Sequence, residues 1–239
     1  MDKKTVVLTG GSAGIGLAIV QLLLQQDYRV INLARRPVPF ENPDVENIII
    51  DLLDRETLAV VCKQLAPTNA TAFVHNAGII RADLVDDVKL DDLDDLNQLH
   101  LGAALQITQA LIPNMKQLKS GRIVLISSRA SVGMKTRTSY SATKAAQIAL
   151  ARTWALELGE FGVTVNTVAP GPIEATEMFH EVVPERSAMT TKLAAQIPRG
   201  RLGLPAAVAR ATLFFSDPQN GVVTGQNLFV CGGTSIGSI

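Results

Sequence analysis

The sequence predicts an α/β fold, a doubly wound parallel sheet with helices on both faces. Three observations carry that expectation. Short β-rich runs alternate with longer helix-like stretches along the whole chain, and the strand runs are nearly all apolar, as a sheet buried on both faces requires. A glycine-rich turn then joins the first strand to the first helix. Right-handed crossovers follow from the alternation.

The elements read in order. "TVVLTG" is the first strand, "IGLAIVQLLLQQ" the first helix and "RVINLA" the second strand. "NIIID", the helical "RETLAVVCKQL" and "ATAFVHNAG" come next, followed by one long helical stretch near 93–118. "RIVLISS" is a strand, residues 139–160 a helix and "VTVNTVAPG" a strand. A polar, Met-rich loop, a helix near 205–216 and the strand "NLFVCGG" complete the chain. With no Pro/Gly/Ser-rich linker, repeat or low-complexity tract, residues 1–239 read as one domain. The acidic run "DLVDDVKLDDLDDLNQ" reads as a solvated helix start, where acids suit the positive end of the dipole.

Composition narrows the function classes. Apolar residues make up 47% of the 239 and charged residues only 18%, which implies a large core or surface buried between subunits. The formal net charge is zero with no polybasic block, so nucleic acid and anionic membrane are not expected partners. No segment reads as a signal peptide or membrane span. Cys62 and Cys231 lack CxxC or His-rich company, so free thiols in a reducing cytoplasm and no metal site are expected.

The turn "TGGSAGIG" places Gly10, Ser12, Gly14, Ile15 and Gly16 between the first strand and the first helix. A pyrophosphate needs backbone N–H donors, close main-chain approach and the positive end of a helix, and such a turn offers all three. The second strand ends "NLARRP", with Arg35 and Arg36 where an acid would bind a ribose 2′-hydroxyl. Guanidinium forks suit a 2′-phosphate, so the expected cofactor is NADP(H) rather than NAD(H).

"TSYSATKAA" sets Tyr140 four residues before Lys144, on one helix face, just downstream of the hydroxyl-ended strand "LISSRAS". A free tyrosine, with a pKa of about 10, is a poor proton donor near neutrality. A neighbouring ammonium would lower it by about 1–3 units. Tyr140 would then exchange a proton with a carbonyl or alcohol oxygen, with a serine hydroxyl steadying the developing charge.

These residues together resemble the short-chain dehydrogenases/reductases, over essentially the whole chain and with a Rossmann-like sheet. "TGGSAGIG" matches T-G-x-x-x-G-x-G, "HNAG" resembles N-N-A-G, "SYSATK" matches Y-x-x-x-K and "NTVAPGPIEATEM" matches N-x-x-x-P-G. "IPRGRLGLP" and "TGQNLFVCGG" are similar to the family's closing helix and strand. The resemblance implies Tyr140 as acid/base, Lys144 on the nicotinamide ribose and Ser128 on the reacting oxygen, with Ser127 the rival serine. It implies Asp51 and Leu52 at the adenine, Asn76, Ala77 and Gly78 at the middle of the cofactor, and Pro170, Gly171, Ile173 and Thr176 beside the nicotinamide. It also implies a homotetramer or homodimer.

Three positions depart from the family pattern. His100 falls where relatives carry an asparagine that holds a water in the proton path, with Asn97 as the alternative counterpart. Titrating near neutrality, His100 would either relay a proton or replace the asparagine's packing. His75 in "HNAG" reads as a local hydrogen-bond swap, and Cys231 stands where an acid is common. The substrate wall is expected between Glu174 and Pro198, with Met178, Phe179, Val182, Val183 and Met189 favouring a small hydrophobic or cyclic carbonyl compound. A 3-oxoacyl carrier-protein reductase, docking through Arg129, Lys135 and Arg137, is the alternative. An NADP(H)-binding sensor or scaffold without turnover is the alternative from another class.

Overall fold

Val6 and Leu8 point to one side of the first strand and Val7 to the other, and that period of two organises the interior. In the computed structural model, which describes residues 3–174, 176, 179 and 188–236, the strands are β1 (Thr5–Thr9), β2 (Arg29–Ala34), β3 (Val45–Ile49), β4 (Ala70–His75), β5 (Gly121–Ile126), β6 (Val163–Pro170) and β7 (Asn227–Val230). All pair in parallel, in the order β3-β2-β1-β4-β5-β6-β7. The order reverses between β1 and β4, which makes the crevice beyond their C-terminal ends the switch point of a doubly wound sheet.

The helices are α1 (Gly14–Gln25), α2 (Arg55–Leu65), α3 (Leu90–Asn97), α4 (Ala103–Leu118), α5 (Thr138–Leu158), α6 (Ala188–Ala195) and α7 (Pro205–Ser216). Val7, Phe73, Ile123 and Val165 face α2, α4 and α5, packing with Leu58, Ile107, Leu111, Trp154 and Leu158. Val6, Leu8, Val74, Val124 and Val168 face α1 and α7, packing with Ile19, Leu23, Val208 and Phe215. Each such side chain contributes about 1.5–3 kcal/mol by leaving water. Asp54 caps α2 by accepting from the Glu56 and Thr57 amides.

Three sequence expectations change. The stretch near 93–118 is two helices, α3 and α4, joined by a π-helical turn at Gln98–Gly102. The strand read as "NIIID" is β3, two residues earlier. As an edge strand it is largely exposed on its outer side rather than buried on both faces. The Met-rich loop contains α6. The acidic run does start a helix, with Asp91 and Asp92 in the first turn of α3 and Arg81 paired to Asp92 at 2.9 Å.

Candidate active site

Because every strand runs the same way, the segments following β1, β4, β5 and β6 emerge along one edge of the sheet. They bring Gly10, Asn76, Ser128 and Pro170 to that edge, and the start of α5 lays Tyr140 and Lys144 beside them.

The β1–α1 turn is drawn tight against its neighbours. The Gly10 amide donates to Leu33 O at 2.9 Å, and Asn76 Nδ2 donates to Gly10 O at 2.9 Å. Gly10 has φ +73°, the left-handed region that favours glycine, and a Cβ on Gly16 would collide with Gly10 O. No side chain caps α1 and no acid sits in its first turn, so its leading N–H groups remain for an anion. Ser12 and Ile15 are half-buried along this turn, and Thr176, from the segment after β6, closes its far side. A Cβ at Gly14 would lie 3.1 Å from Thr176 Cγ2. Arg35 and Arg36 are exposed where β2 ends, flanked by a cleft of ≈ 690 Å³ lined by Pro37, Val38, Phe40 and Asn47. This cradle fits a dinucleotide phosphate, and the two arginines fit an additional 2′-phosphate.

Ser127 and Ser128 separate cleanly. The Ser127 hydroxyl is buried and donates to Lys144 O at 2.7 Å, so it ties β5 to α5. Ser128 Oγ accepts from the Ala130 amide at 3.1 Å, while its hydrogen bond to the Tyr140 phenol favours the tyrosinate. Burial raises the Tyr140 pKa overall, opposed by Ser128 and by the Arg137 charge. The expected lowering of Tyr140 by Lys144 is therefore not what the geometry gives. The Lys144 ammonium lies 5.7 Å from the tyrosine ring centroid and donates instead to Ile126 O at 2.8 Å and Gln147 Oε1 at 3.2 Å. Burial pulls the Lys144 pKa down to about 7.

His100 lies in the π-helical turn, fully buried, its ring edge-on to Tyr140 with centroids 5.6 Å apart. Thr143 has one hydroxyl proton and spends it on the Ser139 or Tyr140 carbonyl, at 3.0 and 3.1 Å. Its oxygen must then accept from His100 Nδ1, 2.9 Å away, which assigns the proton to Nδ1 and leaves Nε2 an acceptor. Nε2 is buried with no hydrogen-bond partner among the described residues. A Cβ at Gly78 would lie 3.0 Å from Nε2 and 3.5 Å from Lys144 Nζ, so all three border one small space. Desolvation, with the Lys144 charge adding, holds the His100 pKa well below its usual value. The expectation that His100 titrates near neutrality is corrected accordingly: the imidazole is neutral.

His75 is a structural link. The Leu99 carbonyl can only accept, so His75 Nε2 donates to it at 3.1 Å and Nδ1 accepts from Thr9 Oγ1, also at 3.1 Å. Thr9 Oγ1 in turn accepts from the Asn76 and Ala77 amides, both at 3.0 Å. Burial lowers the His75 pKa to about 3.

Other expected positions are scattered. Asp51 is exposed and accepts from the Leu53 amide, whereas the Leu52 side chain is packed into the core. Pro170 and Ile173 are buried, and the Gly171 amide donates to Val230 O at 3.0 Å. Asn97 is the last residue of α3 and is half-buried. Cys231 Sγ contacts Ser235 Oγ at 3.2 Å. Of the proposed substrate wall, Phe179 and Met189 are described, while Met178, Val182 and Val183 lie outside the described residues. The expected docking cations also divide: Arg129 donates to Thr234 O, Arg137 is buried and donates to Thr136, and Lys135 is exposed. Among the described residues no cluster of His, Cys, Asp and Glu could hold a metal ion, and no helix is long and apolar enough to cross a membrane. Sequence reasoning missed Thr143 and Gln147, and it gave Arg137 a docking role where the fold sets its charge toward Tyr140. The available signal was a polar Gln147 on the Lys144 face of an otherwise apolar stretch.

The sequence pattern of the family described as short chain dehydrogenase matches residues 4–187. The chain belongs to that family. A 3-oxoacyl-[acyl-carrier-protein] reductase of Vibrio cholerae serotype O1 is 31% identical over 242 residues, covering 98% of each protein. A subunit of the (2S)-[(R)-hydroxy(phenyl)methyl]succinyl-CoA dehydrogenase of Thauera aromatica is 42% identical over 163 residues, 68% of this chain and 64% of that protein. The solved structure of ElxO with NADP bound superposes with a TM-score of 0.88 at 26% identity, covering 97% of this chain and 98% of that one.

Proposed function

We propose that the chain is an NADP(H)-dependent oxidoreductase that interconverts a ketone or aldehyde with an alcohol, residues 1–239 acting as one domain. The observation that carries this reading is the meeting of Ser128, Tyr140 and Lys144 at the sheet edge that also holds the glycine cradle. NADPH bound there would supply the hydride. The phenol of Tyr140 gives its proton to the carbonyl oxygen as that oxygen gains charge, and takes it back from an alcohol in the reverse direction. Ser128, its oxygen already holding the Ala130 amide, turns its one hydroxyl proton from the Tyr140 phenol to the same oxygen when substrate is present. Lys144 supplies positive charge and donors toward the ribose. His100 Nε2, a neutral acceptor beside Lys144, offers a seat for the hydroxyl or water through which Tyr140 recovers its proton.

A 3-oxoacyl thioester is the favoured substrate within this class, because relatives named as 3-oxoacyl-[acyl-carrier-protein] reductases align over nearly the whole chain. Only Lys135, of the three cations expected to dock a carrier protein, is exposed, so a small thioester suits the face better than an acidic carrier. A sensor without turnover would have no use for the proton-transfer groups that the site retains. Two free cysteines support a reducing cytoplasm, and family membership together with exposed Leu105, Leu118 and Leu156 on α4 and α5 supports a homotetramer. NADPH and NADH oxidation should be followed across a panel of ketones, including 3-oxoacyl thioesters. Turnover with NADPH of at least one ketone is expected. Tight NADPH binding with no turnover of any carbonyl compound would favour the sensor.

A further inference from the structure

Gln147 is fully buried on α5, one turn beyond Lys144. Its amide oxygen lies 3.2 Å from Lys144 Nζ, and its amide nitrogen lies 3.0 Å from His100 O. The orientation is forced from both ends, because an ammonium only donates and a carbonyl only accepts. His100 O belongs to the π-helical turn, where the irregular ladder leaves carbonyls needing partners from outside the helix. One side chain thus spans the lysine and the backbone of the residue whose ring meets Tyr140.

We infer that Gln147 is a positioning residue that holds Lys144 as a fixed cation, rather than letting its ammonium swing or shed its proton. The inference rests on the proposed oxidoreductase reading for its functional meaning. The groups around the ammonium give it little other support. Ile126 O is a neutral acceptor, and the ionisable neighbours are His75 on β4, His100 in the π-helical turn, and Tyr140 at the start of α5. None is a carboxylate, and among the described residues Lys144 has no ion pair. Burial drives its pKa down to about 7, and an acceptor held 3.2 Å from the ammonium favours the charged form against that loss. A carboxamide also carries no proton it can release near neutrality. Gln147 thus closes the route from Lys144 toward the π-helical turn and leaves His100 Nε2 as the acceptor open to the site.

The test reads Lys144 directly, by titrating 13Cε-labelled lysine by NMR in the full-length protein, with the Lys144 signal assigned by its loss in Lys144→Met. In Gln147→Glu the midpoint should rise by about 1–3 pH units, as a carboxylate replaces the amide oxygen. In Gln147→Met it should fall, as the acceptor disappears. The pH at which NADPH affinity weakens tenfold, followed by NADPH fluorescence, should move in the same directions. A midpoint that stays put in both variants, or shifts the same way in both, overturns the inference. Should Gln147→Glu not fold, Gln147→Met decides against wild type by the same measurement. Because neither readout needs turnover, midpoints that move as stated in a protein inactive on every ketone would sink the oxidoreductase reading and keep Gln147's hold on Lys144.

Discussion

Tyr140 and Lys144 are four residues apart, yet the geometry divides their work differently from the sequence expectation. The base that the spacing suggested, a tyrosine acidified by its lysine, is a buried phenol whose nearest help comes from Ser128. His100 changes more. Its ring is neutral because protonating it would put a second charge beside Lys144 in a desolvated site. His100→Asn should therefore retain activity and leave the pH profile of kcat/KM above pH 6 unchanged, measured by steady-state kinetics in mixed buffers. His100→Leu, lacking any acceptor at the Nε2 position, should lose about tenfold in turnover, the worth of one hydrogen bond. A wild-type profile with an inflection near 6.5 that vanishes in His100→Asn would contradict the neutral assignment.

The π-helical turn between α3 and α4 is the element that the sequence concealed. Helix periodicity runs through residues 93–118, and Gly102, where a Cβ would meet the Gln98 side chain, is a weak local mark of the irregularity. It exists because tertiary partners claim its carbonyls: His75 takes Leu99 O and Gln147 takes His100 O. Those partners lie 24 and 47 residues away, beyond the reach of any pattern within the turn. The strands and the glycine turn were legible for the opposite reason, since a doubly covered parallel strand must be apolar and a tight βα turn must be small. Removing the His75 link should cost about 1–3 kcal/mol, as Leu99 O and Thr9 lose their partner. The pH dependence follows from the lowered pKa values. Between about pH 6.5 and pH 3 the unfolded chain binds a proton at residue 75 that the folded chain refuses, so stability falls as pH falls through that window. His100 acts in the same direction. Urea unfolding from pH 6.5 to 4.5 should show His75→Asn with a shallower loss than wild type, by about 1.4 kcal/mol per pH unit. Parallel slopes would contradict the neutral, buried His75.

At the scale of the molecule, one sheet edge gathers the glycine turn, the Ser128, Tyr140 and Lys144 side chains and the described residues that follow β6, which is why residues spread from Gly10 to Thr176 come together there. The motifs named nearly all of them, because each motif follows a strand end and strand ends converge. The sequence was less informative about side-chain direction: it paired Asp51 with Leu52, and the fold buries the second in the core. Cofactor choice belongs to this scale as well. The double variant Arg35→Ala, Arg36→Ala should weaken NADPH binding by about 10–100-fold while leaving NADH nearly unchanged, measured by fluorescence titration. Equal losses for both cofactors would detach the arginines from the 2′-phosphate. Light scattering should report a tetramer. The role of Tyr140 as proton donor is tested by comparing wild type with Tyr140→Phe, measuring NADPH binding and ketone-dependent NADPH oxidation on the same samples. With that role, the variant binds NADPH as wild type does and its turnover falls by about 10²–10⁴-fold. Turnover by Tyr140→Phe at the wild-type rate would contradict it.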